Sequence, residues 1–143
     1  MVTFGLGLLN VPGIVGMGAA ATLPADDGVR ALRDRLETGI LSGLDGVVIN
    51  GHRTRRLANT TNLSFDGVDG ATLMKRMPEI AVSSSSACTS ALLQPSYVLG
   101  AMGCHEARIR GSVRFSLGRF TTAEEIDIAT TQVVESVRAL RIQ

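Results

Sequence analysis

Apolar residues recur at helical spacing after residue 28, where Val29, Leu32, Leu36 and Ile40 share one face and arginine and aspartate occupy the other. Asp26 or Asp27 suits the cap of this helix, since a short acidic side chain accepts from the free N–H groups of a first turn. Ahead of it, Val11 to Ala21 reads as a helix with Pro12 in its first turn, separated from the next by Pro24 and Gly28. Val47 to Ile49 is a β-branched run ending at the turn signal Asn50-Gly51, and Thr61 to Phe65 is the next strand and its expected neighbour. Residues 68–77, with Val68, Leu73, Met74 and Met77, predict a short helix stopped by Pro78, followed by a buried strand from Ile80 to Val82. A polar loop is expected over 83–90, then a short helix opened by Pro95 and closed by Gly103, a loop over 104–111, and an alternating strand from Ser112 to Leu117. The clearest element is last. Thr121 and Thr122 each have Glu three residues on, and Ile126, Ala129, Val133, Val137 and Leu140 follow at helical spacing. The sum is one α+β domain over 1–143, with a small mixed or antiparallel sheet of about four strands covered by helices. It divides into an uncharged segment with the first helix over 1–25 and an α+β core over 26–143.

At 143 residues the chain is long enough to close a core and short for a two-lobed cofactor enzyme. Fourteen basic side chains against thirteen acidic ones call for neither nucleic acid nor an acidic surface. Tyr97 is the one tyrosine and tryptophan is absent, which removes the stacking platform of a single-strand binder. Cys88 and Cys104 are too few for a disulfide framework and fit no zinc spacing, so a reducing cytoplasm is the expected setting. Lys75 is the only lysine, so any lysine chemistry within the chain rests on it. Residues 1–25 carry no charge. Asn10, Pro12, Pro24 and the glycines at 5, 7, 13, 16 and 18 argue against a membrane span there, and the missing basic n-region argues against a signal peptide.

The string Ala81-Val-Ser-Ser-Ser-Ser-Ala-Cys-Thr-Ser90 is similar to the active-site loop of the cysteine desulfurases, with Ser85 where that family usually has glycine. The resemblance continues through Pro95-Ser-Tyr-Val-Leu99, Ser112-Val-Arg-Phe-Ser-Leu-Gly-Arg-Phe-Thr-Thr122 and Glu125-Ile-Asp127. Upstream, Asn10-Val-Pro-Gly-Ile-Val-Gly16, Leu32-Arg-Asp-Arg-Leu36, Asn50-Gly51 and Asn62-Leu-Ser-Phe65 also look like family segments in their usual order. It implies the carboxy-terminal small domain of a fold-type I pyridoxal-phosphate enzyme, with Cys88 as the nucleophile that takes sulfur from cysteine and leaves alanine. Small neighbours such as Ser86 and Ala87 suit a thiolate that must be reachable and then deliver its sulfur. Taken by residue type alone, a cysteine among small residues is more often inert, and it is the flanking match that reverses this. By the same resemblance Arg114 stands where the family forks an arginine onto the substrate carboxylate, a task its planar guanidinium suits. Without the motif it reads equally as a strand arginine reaching for solvent.

The resemblance also implies pyridoxal phosphate held by a Schiff-base lysine in a larger preceding domain, with an iron-sulfur scaffold or other sulfur acceptor as partner. Lys75 does not match that lysine, and Gly5-Leu-Gly-Leu8 replaces the phosphate-holding Arg-Ser-Gly-Thr segment. The region from Gly18 to Leu32 is shorter than usual and holds Pro24 and Gly28. The chain alone is therefore expected to bind no cofactor and to be inactive without a separate lysine-bearing domain. The alternative is a truncated, non-catalytic interaction module or homodimer. Weaker signals add little. Gly16-Met-Gly-Ala-Ala-Ala21 follows no strand, His52-Arg-Thr-Arg-Arg56 reads as a solvated basic loop, and Cys104-His105 is a poor start to a tetrahedral metal site.

Overall fold

The computed structural model describes residues 9–23, 28–84 and 96–142. Helix α1 spans Val11–Ala21, with the Asn10 side chain accepting from Gly13 N–H and Pro12 in the first turn. None of its residues is buried. Helix α2, Val29–Gly43, starts from Gly28 in the left-handed region (φ 82), which glycine adopts without a Cβ penalty. No side chain caps it, and Asp26 and Asp27, the expected caps, lie outside the described residues.

Strands β1 (Val47–Ile49), β2 (Thr60–Phe65), β3 (Ser83–Ser84) and β4 (Ser112–Ser116) form one antiparallel sheet in the order β1-β2-β4-β3. Helix α3 (Gly70–Arg76) is capped by Asp69, which accepts from Thr72 N–H, and the short α4 (Tyr97–Ala101) by Ser96. Two expectations are corrected. The strand placed at Ile80–Val82 lies later, at Ser83–Ser84, because a turn in which Ile80 N–H donates to Met77 C=O delays contact with β4. Ile80 and Val82 still pack against the core. The loop expected over 104–111 contains a helix, α5 (Glu106–Arg110), because the His105 ring accepts from Arg108 N–H and acts as its cap. The final helix α6, Ala123–Arg141, takes Thr122 as cap in a reciprocal box with Glu125.

Strand alternation separates two faces. Leu63 and Phe65 of β2 and Val113 and Phe115 of β4 are buried together with Leu36 and Ile40 of α2, Leu73 of α3, Met77 just after it, and Val133 and Val137 of α6. Each fully buried side chain of this kind contributes about 1.5–3 kcal/mol. Gly39 and Gly43 let α2 approach Thr130 and Val134 of α6, where an added Cβ would meet side-chain atoms at 2.6 and 2.8 Å. The opposite face carries Thr60, Asn62, Ser64, Ser112, Arg114 and Ser116, so α2, α3 and α6 cover one side of the sheet and polar side chains line the other, where α5 packs over Ser64 and Ser112.

Candidate functional site

Period-two alternation puts Arg114 on the polar face because its neighbours Val113 and Phe115 point into the core. In register it stands opposite Asn62 of β2 on one side and Ser83 of β3 on the other. Its side chain is exposed, and Nη2 donates to Ser83 Oγ at 3.2 Å. Among the described residues no carboxylate pairs with it, so one edge of the guanidinium remains free for a two-pronged carboxylate contact.

A buried network supports the neighbouring part of this face. Asn50, 6% exposed, donates through Nδ2 to Asn62 Oδ1 at 2.5 Å and to Ser64 Oγ at 2.7 Å. Arg108 Nε of α5 donates to Asn50 Oδ1 at 2.7 Å, and Ser64 Oγ donates to the Arg108 carbonyl at 2.9 Å. The Asn50-Gly51 turn signal thus supplies a side chain that ties β2 to α5. Sequence reasoning missed Asn62 and Ser83 as members of the site. The alternation of β2 and β4 was the signal available for Asn62, whereas Ser83 required the position of β3.

The β1–β2 connection is held by charge. Arg56 forks onto Glu37 of α2 at 2.6 and 2.8 Å, and Arg33 donates to Leu57 C=O at 2.8 Å and to Asp34. Burial acts to raise the Glu37 carboxyl, but the hydrogen bonds and charge of Arg56, with the Arg33 charge, outweigh it and hold the carboxyl below its ordinary value. Beyond this clamp, His52 Nδ1 accepts from the backbone N–H groups of Thr54 and Arg55, which makes the basic loop a folded turn.

Cys88 lies outside the described residues, within 85–95, between β3 and Ser96. Lys75 is exposed in the last turn of α3, a helix that buries Leu73 on the core side of the sheet. The only lysine and Arg114 are therefore on opposite sides, and the described residues do not assemble a pyridoxal phosphate site. Cys104 is half-buried, His105 is committed to capping α5, and no metal-binding cluster exists among the described residues. A cavity of about 300 Å³ lined by Ile80, Val82, Phe115, Leu117, Ile126 and Ala129 opens on the helix side, away from Arg114.

The family model for aminotransferase class-V matches residues 2–128. The chain belongs to the aminotransferase class-V family. Within that family it is 51% identical to cysteine desulfurase IscS of an Anaeromyxobacter species over 96% of this chain and 36% of that protein. It is 47% identical to the mitochondrial cysteine desulfurase of Arabidopsis thaliana, over 90% of this chain and 30% of that protein. The fold of a solved NifS-like protein superposes on 97% of this class-V chain and 38% of its own length, with TM-score 0.76 and 27% identity. The chain thus spans about a third of the length of these relatives. Among its described residues no helix is long and apolar enough to cross a membrane.

Proposed function

We propose that the chain acts as the carboxy-terminal part of a cysteine desulfurase, in which Arg114 anchors the carboxylate of L-cysteine and Cys88 receives its sulfur as a persulfide. The observation that carries this reading is Arg114, exposed on the polar face with no acid paired to it among the described residues and in register with Ser83, five residues before Cys88. Five residues of chain reach at most about 18 Å, so Cys88 is tethered within that distance of Ser83. The carbon–sulfur bond of L-cysteine breaks, a sulfur–sulfur bond to Cys88 forms, and a proton on carbon completes L-alanine.

Breaking that carbon–sulfur bond needs the electron sink that pyridoxal phosphate supplies. The cofactor belongs to a lysine-bearing domain, on the same polypeptide or a separate one. A thiol acceptor such as an iron-sulfur scaffold protein then takes the sulfur by exchange at the persulfide. The test combines the chain with such a domain, pyridoxal phosphate and L-cysteine, and follows alanine. Alanine equal to the sulfur released, lost on Cys88→Ser, is the expected result. Alanine formed at the same rate with Cys88→Ser contradicts it.

A second reading, an interaction module or homodimer, draws on α1. Val11, Ile14, Val15 and Met17 are each more than half exposed, and Leu9 and Leu23 flank them. A run of this kind is a surface that another polypeptide face covers.

A further inference from the structure

Arg114 has two neighbours at its own level on the polar face, and they are not equivalent. Asn62 is already committed, since its Oδ1 accepts from Asn50 Nδ2, and Asn50 is in turn fixed by Arg108. Ser83 is not committed in this way, and its hydroxyl accepts from Arg114 Nη2. Neither neighbour is acidic, so the arginine charge is held without being neutralised. A hydroxyl on one N–H of the guanidinium leaves a two-pronged edge open. A long arginine side chain free in solvent samples many rotamers, and a ligand that needs one of them must freeze the rest.

We propose that Ser83 is a positioning residue: its hydroxyl pre-orients the Arg114 guanidinium for a carboxylate. The proposal rests on the reading of Arg114 as the carboxylate anchor and adds the residue that sets its geometry. Two features support it. The β3–β4 register sets the Ser83 backbone directly beside Arg114, so the contact is fixed by the sheet and not by a loop. Ser83 is also half-buried, which limits competition from water for its hydroxyl.

The test uses the full 143-residue chain, uniformly ¹⁵N-labelled, and L-alanine as an amino acid that cannot give up sulfur. The Arg114 Nε–H signal is assigned by its loss in Arg114→Lys, and binding is read from its shift, or in Arg114→Lys from backbone amide shifts around residue 114. Ser83→Thr and Ser83→Val form the comparison, because both keep a β-branched side chain of one size and differ by the hydroxyl. Ser83→Thr is expected to bind within about twofold of the parent, and Ser83→Val about fivefold more weakly with its Arg114 signals averaged. Equal binding and equal Arg114 signals for Thr and Val, with Arg114→Lys weakened, overturn the role of Ser83 and leave the anchor standing. Unchanged binding in Arg114→Lys, or no Arg114 shift in the parent chain, overturns the anchor itself and this proposal with it.

Discussion

Glu37 shows how a single titrating side chain ties pH to the integrity of the fold beside the site. Its carboxylate is held by both Arg56 Nη groups, with side-chain exposures of 8% for Glu37 and 14% for Arg56. Burial works against the charged form, yet the Arg56 contact prevails and the folded pKa lies below the unfolded one. A depressed carboxyl contributes stability above its unfolded value, and that contribution is lost as pH falls through the folded value. Thermal melts from pH 7 down to pH 3 are therefore expected to show stability falling below about pH 4.5, with a shallower fall in Glu37→Gln. At pH 7 that variant leaves Arg56 with only the more distant Asp34 carboxylate, 3.9 Å away. Since Arg56 keeps a solvent-facing edge, the expected loss is about 2 kcal/mol, or about 6 °C in Tm. Identical acid slopes for parent and variant would show that the pair carries no linkage. At this scale the exposed strand position of Arg114 was legible in the sequence, from the alternation of Ser112 to Leu117. The Asn50, Ser64 and Arg108 network was not, because Arg108 and Asn50 are 58 positions apart and meet only after α5 has formed against β2.

Among the elements, legibility followed how much of the stabilising information was local. Helix α6 combines a capping box with five apolar positions in phase, and all of that lies within its own residues. Strand β3 is two residues long, and what makes it a strand is the register of β4, which nothing in residues 80–84 encodes. Helix α5 was lost to a histidine cap and a single buried apolar residue, Ile109, too few to give a period. The junction of α5 with β4 supplies a test of close packing. A Cβ on Gly111 would stand 2.6 Å from the Phe65 carbonyl oxygen and 2.9 Å from that of Val68. Both are backbone atoms, so no side chain can turn aside to make room. Gly111→Ala is expected to destabilise the chain by about 3 kcal/mol, the upper part of the range for overpacking, and to disturb the network around Arg108. A denaturant midpoint equal to that of the parent would show that the α5–β4 junction is looser than its distances indicate.

For the whole molecule, the sheet gives one side to the core with α2, α3 and α6 and carries Arg114 on the other. The apolar α1 has no buried residue and, among the described residues, leaves Val11, Ile14, Val15 and Met17 more than half exposed. Sedimentation is expected to show concentration-dependent association, abolished by the pair Val15→Glu and Met17→Glu with no loss of folded structure. A concentration-independent monomer would remove the case for a homodimer through this helix. In the proposed function, sulfur from L-cysteine comes to rest on Cys88 with Arg114 holding the substrate carboxylate. The direct measurement is the mass of the Cys88 peptide after a single turnover with L-cysteine, in the presence of a pyridoxal phosphate domain that carries the Schiff-base lysine. One added sulfur atom on Cys88, lost with Arg114→Ala at limiting L-cysteine, is the result expected. An unmodified Cys88 peptide in the parent chain under those conditions, while alanine accumulates, would contradict the account.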